Sequence, residues 1–281
     1  NEISDLGLLP ADFGCLGERV GYYGNSLGDH FGVGHIFLAG EAPGLFYGYV
    51  TQGIVQKEDI TENGIKYIKQ DGSVGYYQTV NKTTPVAGDV KYVDRNGDGV
   101  VDDNDRDIIG NPNPDFTYGF QTKVSWKSLS LSASFNGVQG RDILNVGNRY
   151  NNTPGTKSNN VTRKAFQNMW TDENPSNLYP KSTFVVQNMV MDRYVEDGSY
   201  LRCSDITLSY ILPAKWTNKI GIKNTSVYAS VKNAFVITDY SGYDPEVNSF
   251  AFDGLRPGVD MNSYPTPRSF VFGLNLRSEE H

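Results

Sequence analysis

The chain has 281 residues, of which 38% are hydrophobic and 20% charged, a balance compatible with one large folded domain or two ordinary ones. Its net charge of −7 excludes a nucleic-acid groove, because such a groove needs a basic stripe. The sequence has no run of about 18 apolar residues, which excludes a membrane-spanning helix but not strands that cross a bilayer by alternation.

The amino-terminal third predicts strands of weak periodicity near residues 33–40, 46–55 and 65–80. Residues 1–14 lack the basic and apolar regions of a signal peptide, so these residues predict either a cytoplasmic chain or a targeting segment elsewhere. Cys15 and Cys203 lie far apart in the sequence and neither demand nor exclude a disulfide, and no metal-type C-x-x-C spacing occurs.

The next element is an acidic loop, "DRNGDGVVDDND", from Asp94 to Asp105. Calcium takes six to eight oxygen ligands, which a twelve-residue loop supplies from positions 1, 3, 5, 7, 9 and 12 around a glycine at position 6. The corresponding residues are Asp94, Asn96, Asp98, Val100 through its carbonyl, Asp102 and Asp105. The pattern predicts a structural Ca²⁺ site, and the alternative is a solvated turn, in which the same residue types are common.

The following segments alternate apolar and polar residues as half-buried strands do. "FTYGFQTKVSW" and "LSLSASF" predict an antiparallel hairpin that turns at Lys127-Ser128. Further strands are predicted in "RCSDITLSYIL", "TSVYASVKNAF" and "SFVFGLNL", giving roughly seven to nine strands along the chain. A turn or two of helix is predicted in "VTRKAFQNMW", where Val161, Ala165, Phe166 and Met169 would share a face.

The predicted fold class is all-β and antiparallel, and three features favour a transmembrane β-barrel over a soluble sandwich. The polar faces carry Ser, Thr, Gly, Asn and Gln, and aromatic residues lie near strand ends, as the girdle of a barrel requires. Short turns alternate with a long segment from Arg141 to about Arg193, which is the asymmetry of short periplasmic turns and long extracellular loops.

Six segments resemble, in the same order, the carboxy-terminal half of the SusC/RagA-type TonB-linked outer-membrane transporters. The resemblance runs from about Gly34 to Leu276, and the segments are Gly40–Gln56, Gly88–Phe120, Met169–Pro180, Tyr194–Pro213, Val227–Val247 and Tyr264–Leu276. The acidic loop matches the family's D-x-N-G-D-G motif position by position.

This resemblance implies that residues 1–281 are part of a 22-stranded barrel in a bacterial outer membrane, without the plug and the TonB-contacting segment. It also implies import of oligosaccharides or peptides, driven by the TonB complex, together with a SusD-like surface lipoprotein that closes over the barrel. The rest of the barrel and the plug would come from a preceding amino-terminal segment. The last strand runs into "RSEEH" rather than ending on the terminal aromatic residue usual in the family.

Flat aromatic rings in the loops are candidates for substrate contact, because sugars stack on them, and the alternative for each is loop packing. The candidates are Trp170, Tyr179, Tyr240 and Tyr243. No catalytic residue is predicted, since the sequence has neither a nucleophile elbow nor a phosphate-binding glycine loop. The alternative function is that of a soluble, secreted, calcium-braced β-sandwich that binds carbohydrate.

Overall fold

The structure is a computed structural model. It describes residues 2–3, 15–16, 19–28, 31–153, 160–182, 189–217 and 223–277. The chain divides into two compact units that interleave along the sequence. Unit 1 contains residues 1–113, 142–196 and 247–263, and unit 2 contains residues 114–141, 197–246 and 264–281.

Unit 2 is built on a five-stranded antiparallel sheet whose strands follow one another in chain order. The strands are β1 (Phe116–Trp126), β2 (Leu129–Gln139), β3 (Tyr200–Ile211), β4 (Lys223–Thr238) and β5 (Ser269–Arg277). The predicted hairpin is confirmed, because β1 and β2 pair from Phe116↔Gln139 to Trp126↔Leu129 around a two-residue turn. A short helix, α3 (Ala214–Thr217), follows β3.

The two faces of this sheet differ in chemistry across all five strands. Cross-strand partners share a face, and pairs such as Leu131↔Leu208 and Ala229↔Phe272 place one apolar row beside the next. A bulge at Ser204, where Phe135 pairs with Cys203 but Ser134 pairs with Asp205, lets the apolar row of β3 continue on the same face. The opposite face carries Ser130, Ser132, Thr207, Ser230 and Lys232.

The apolar row is exposed rather than packed against another layer of protein. Phe116, Phe120 and Leu131 are 56%, 53% and 47% exposed, and Trp126 at the end of β1 is 68% exposed. A soluble sandwich would bury these side chains, whereas strands that face lipid leave them uncovered. The exposures therefore contradict the sandwich and agree with an antiparallel sheet of barrel type.

Unit 1 consists of short strands and turns around its own core. Its strands are Cys15–Leu16, Arg19–Tyr23, His35–Leu38, Leu45–Tyr49, Thr51–Ile54, Ile60–Thr61, Gly64–Ile68, Val74–Tyr77, Thr79–Val80, Val90–Tyr92, Val100–Val101, Arg106–Gly110, Asp142–Asn145, Val195–Asp197 and Val259–Asp260. Single-turn 3₁₀ helices lie at Lys57–Asp59, Asp103–Asp105 and Asp192–Tyr194. The three strands predicted before residue 80 are present, although two of them divide into shorter pieces.

The core of unit 1 is rich in aromatic rings. Tyr67, Tyr77 and Tyr92 are at most 1% exposed, and they surround aliphatic side chains such as Val55 and Val101. The Tyr67 hydroxyl donates to the Asp94 carbonyl at 2.6 Å, and the Tyr77 hydroxyl accepts from the Tyr92 backbone at 3.2 Å. Buried phenols thus satisfy their polar ends with backbone groups.

The segment predicted as a long loop, from Arg141 to about Arg193, contains a strand and two helices where it is described. Asp142–Asn145 pairs in parallel with Val259–Asp260. Helix α1 (Val146–Asn152) is capped by the Asn145 side chain, and α2 (Arg163–Asn168), the predicted helical turn, is capped by Thr162. Only Ala165 of α2 is buried, and Phe166 is 64% exposed, so these two residues do not share one face as the sequence predicted.

None of the described helices is both long enough and apolar enough to span a membrane.

Candidate functional site

The acidic loop of unit 1 begins after strand Val90–Tyr92 and runs into the strand Arg106–Gly110. Gly97 and Gly99 have φ angles of 76° and 86°, a left-handed conformation that favours glycine. A Cβ at Gly99 would also lie 2.5 Å from the Gln78 side chain. The two glycines are therefore required by the path of the loop, with or without a metal ion.

Asp94 closes the first half of the loop. Its carboxylate is 2% exposed and accepts hydrogen bonds from the backbone N–H groups of Gly97 at 2.6 Å and Gly99 at 2.9 Å. Both oxygens of a nearly buried anion are thus satisfied by amide donors. The repulsion expected between clustered carboxylates is relieved at this position by the backbone.

Asp105 closes the second half of the loop from a fully buried position. It accepts from the backbone N–H groups of Arg95 and Asp102, each at 2.8 Å. Burial raises the pKa of the Asp105 carboxyl above its usual value, although these amide donors oppose the shift. The Asp105 side chain therefore holds the loop closed through hydrogen bonds to its backbone.

The other predicted ligands make turn contacts within the loop. Asn96 and Asp98 are exposed, Val100 donates its N–H to Asp98 at 2.8 Å, and Asp102 accepts from Asn104 at 2.9 Å. Across the part of the chain that is described, no three His, Cys, Asp or Glu side chains are grouped closely enough to hold a metal ion. Calcium binding by this loop stays a prediction.

The Asp98→Ala variant tests calcium binding. If the loop binds Ca²⁺, the variant should lower the melting temperature in calcium and leave it unchanged in chelator, because the exposed Asp98 side chain otherwise makes only local turn contacts. Thermal unfolding of the detergent-solubilised protein in both buffers is the measurement.

Asp71→Ala is the matched control, since Asp71 is an exposed aspartate that accepts from Ser73 in a similar turn. It should have the same small effect in both buffers. Equal losses for Asp98→Ala in calcium and in chelator would show that Asp98 holds no ion.

The four aromatic candidates for substrate contact lie in different environments. Trp170 is 7% exposed, and its indole N–H donates to Gln56 Oε1 at 3.0 Å, so its ring fills the interior of unit 1. Tyr240 is 5% exposed, also without a free ring face. Tyr243 is 70% exposed, and Tyr179 lines a cavity of unit 1. Tyr179 and Tyr243 are the two whose environment leaves room for a ligand.

The cavity beside Tyr179 has a volume of about 220 Å³. It lies among α1, α2, residues 178–180 and the 3₁₀ helix Asp192–Tyr194, and is lined by Asn148, Asn152, Thr153, Lys164, Leu178, Tyr179, Pro180, Arg193 and Tyr194. Sequence reasoning identified Tyr179 alone among these residues. Lys164 lies in the predicted helical turn, the others come from segments without periodicity, and only the fold brings them together.

The sequence analysis also did not predict a second polar cluster, which lies in unit 2. Arg202 on β3 is 5% exposed and pairs with Asp244 at 2.5 Å and with Glu246 at 3.2 Å. The Tyr200 hydroxyl and the Asn136 amide donate to the other oxygen of Glu246 at 2.7 Å and 3.0 Å. These contacts hold the segment "YDPEV" against Asn136 on β2 and against Tyr200 and Arg202 on β3.

The same polar face of the sheet carries a smaller, more exposed group around Asp205. Lys232 pairs with Asp205 at 2.7 Å, and the hydroxyls of Ser230 and Thr207 donate to the same carboxylate at 2.7 Å each. Such a mixture of hydroxyls with a paired charge is typical of the wet interior of a barrel.

Comparison with known proteins places these features in context. No family model matches the chain. Two TonB-dependent receptors of Formosa agariphila are 34% and 33% identical to the chain, over 68% and 86% of it and 20% and 23% of their own lengths. The TonB-dependent receptor SusC of Bacteroides thetaiotaomicron is 34% identical over 66% of the chain and 17% of its own length. The chain thus spans about a fifth of the curated relatives that it matches.

The comparison with solved structures agrees with these sequence relatives. The RagAB peptide importer matches the chain in its open-open state with a TM-score of 0.58 and 25% identity, over 86% of the chain and 23% of the matched chain. Its closed-closed state matches with a TM-score of 0.58 and 25% identity, over 86% of the chain and 24% of the matched chain.

Proposed function

Because the chain belongs to the SusC/RagA-type TonB-dependent receptors, which are outer-membrane proteins and not enzymes, we propose that it forms part of the barrel of a nutrient importer. The observation that supports this most directly is the sheet of unit 2, with an exposed apolar row on one face and hydroxyl-rich residues on the other. In a barrel, the first face contacts acyl chains and the second lines the lumen.

The ends of the sheet support the proposal that further strands belong to the same barrel. β1 and β5 are its edge strands among the residues described, and each has one row of backbone groups without a strand partner in the sheet. Unpaired backbone groups are not tolerated in lipid. The proposed partners of these edges are the remaining strands of the protein, whose plug would contact the TonB complex.

The proposed cargo is an oligosaccharide or a peptide. RagAB, to which the chain is similar, is described as a peptide importer, and the exposed ring of Tyr243 and the cavity beside Tyr179 offer surfaces for either class. The calcium ion remains part of the proposal as a structural brace of the acidic loop, with the Asp98 experiment as its test.

The loop from Asn248 to Gly258 supports the proposal of a SusD-like surface lipoprotein as partner. Phe252 at its apex is 106% exposed, while the loop beneath is braced by Asp253, which binds Asn25 at 2.8 Å and Arg256 at 2.7 Å. A braced loop that exposes an aromatic ring can insert that ring into an apolar pocket of another protein. Buried aromatic anchors of this kind contribute much of the binding energy of protein interfaces.

Purification from outer membranes in mild detergent tests the proposed function. A surface lipoprotein should co-purify, and uptake of the nutrient found in the complex should stop when TonB is absent. Phe252→Ala should reduce the amount of lipoprotein recovered, whereas Phe166→Ala, which removes another exposed phenylalanine, should not. A water-soluble monomer, or uptake that continues without TonB, would contradict the proposal.

A further inference from the structure

The cavity beside Tyr179 has an unusual set of uncommitted polar groups. Lys164 is exposed on α2 and forms no ion pair with any described residue, and Arg193 uses one guanidinium nitrogen for the Leu178 carbonyl at 2.5 Å. The Tyr179 hydroxyl likewise has no partner in the described part of unit 1. Each of these groups can donate hydrogen bonds, and two of them carry a positive charge.

The carboxylates near the cavity are already engaged elsewhere. Glu196 accepts from the amides of Asn145 at 2.9 Å and Asn148 at 2.5 Å, and it does not line the cavity. Asp192 accepts from the Thr51 hydroxyl at 2.6 Å and from the Thr51 N–H at 3.1 Å. Lys164 and Arg193 therefore line the cavity with no acid among its described lining residues, in a chain whose net charge is −7.

We propose that this cavity binds the carboxylate group of an imported ligand, with Lys164 and Arg193 holding the charge and Tyr179 packing against the body of the ligand. A volume of about 220 Å³ suits one acidic residue of a longer chain rather than a whole oligomer. Charge-assisted hydrogen bonds from lysine and arginine to a carboxylate are the strong kind, and an aromatic face beside them favours a ring or a side-chain stem.

The inference rests on the proposed function, because it names the chemistry of the cargo. The carboxylate can come from a uronic acid in an oligosaccharide or from an acidic residue in a peptide. These two sources present the same group to Lys164 and Arg193, and they differ in the body that Tyr179 contacts.

The test is a binding measurement on the detergent-solubilised full-length transporter with three defined probes. These are a galacturonic acid trisaccharide, a tri-glutamate peptide and the neutral trisaccharide maltotriose. Wild type should bind at least one acidic probe about tenfold or more tightly than maltotriose, and added salt should weaken that binding. Whichever acidic probe binds more tightly identifies the source of the carboxylate.

Lys164→Gln should weaken binding of the acidic probe about tenfold, the scale expected for one charge-assisted hydrogen bond, and leave maltotriose unaffected. The Lys164 side chain is exposed and forms no ion pair with any described residue, so this variant should fold. Lys164→Arg should retain the affinity. Arg163→Gln is the matched control, because Arg163 is the exposed neighbour on α2 that does not line the cavity, and its affinities should stay within twofold of wild type.

The inference is overturned if wild type binds all three probes equally, or if Lys164→Gln and Arg163→Gln change the affinity for the acidic probe to the same extent. Since the measurement reads binding and not import, it stays separate from the proposed function. Import of a nutrient through the barrel, together with equal binding of all three probes, would leave the proposed function standing and refute the carboxylate site.

Discussion

Replacing Arg202 with methionine is expected to lower the free energy of unfolding by about 3–5 kcal/mol, the cost of leaving a buried charge without its partner. The side chains of Arg202 and Asp244 are 6% and 5% exposed, and their closest atoms are 2.5 Å apart. Methionine keeps much of the packing volume while removing the charge. Denaturant unfolding in detergent micelles is the measurement.

The reason for so large an effect is that the Asp244 carboxylate depends on a closed set of partners. Burial opposes the ionisation of Asp244. The pKa of Asp244 is nevertheless held below its usual value by the Glu246 N–H, by the N–H and side chain of Thr266 and by the Arg202 charge. Without the guanidinium, the carboxylate must either take up a proton or draw in water. The segment from Tyr243 to Glu246 should then detach, which limited proteolysis would detect.

Lys232→Met is the matched control, because it also removes the cation of an ion pair from the same sheet. The Lys232 side chain is 53% exposed, and Asp205 keeps the hydroxyls of Ser230 and Thr207 as donors. Its loss should cost less than about 1 kcal/mol. Adding Asp244→Asn to Arg202→Met should restore part of the lost stability, and equal losses for Arg202→Met and Lys232→Met would refute the argument.

The sheet that contains this pair was predictable because its information is local. Alternation with period 2 assigns each side chain of "FTYGFQTKVSW" to a face, and the phase continues through the Lys127-Ser128 turn into β2. Lys127 adopts a φ of 53° at that turn, which completes the reversal in two residues. The bulge at Ser204 was not predicted, since it depends on which residue of β2 faces it.

Unit 1 was harder to predict because distant residues decide its structure. The strand Asp142–Asn145 exists through its pairing with Val259–Asp260, more than a hundred residues later. The residue type of Trp170 predicted a ring on which a sugar could stack. Its indole N–H instead donates to Gln56, a contact that only the fold reveals. The order of Asp and Gly in the acidic loop fits a calcium register and also fits the amide-bound closure seen around Asp94 and Asp105, because both arrangements use the same tight turns.

His35 is a buried titratable group of unit 1 to which the sequence analysis assigns no role. It is fully buried on the strand His35–Leu38, its Nε2 lies 2.8 Å from the Pro257 carbonyl oxygen, and its ring meets Phe46 edge-on at 5.2 Å. Nδ1 is buried and has no hydrogen-bond partner among the residues that the structure describes. The neutral ring, with Nε2 donating, is therefore the form that the fold accepts.

Acidification is expected to destabilise the protein through His35. Burial, with a smaller contribution from the Arg256 charge, lowers the pKa of His35 from 6.5 to about 4, despite the Pro257 hydrogen bond and the Asp253 charge, which oppose the shift. Below pH about 6.5 the unfolded chain binds a proton at His35 that the folded chain does not bind. The free energy of unfolding therefore falls as the pH drops from about 6.5 to about 4, by up to about 3 kcal/mol.

Because carboxylates titrate in the same range, the informative quantity is the difference between wild type and His35→Gln, whose amide can still donate to Pro257 but does not titrate. Denaturant unfolding at pH 7 and pH 4.5 should show wild type losing more stability than His35→Gln, and parallel pH profiles for the two proteins would show that His35 is not the group responsible.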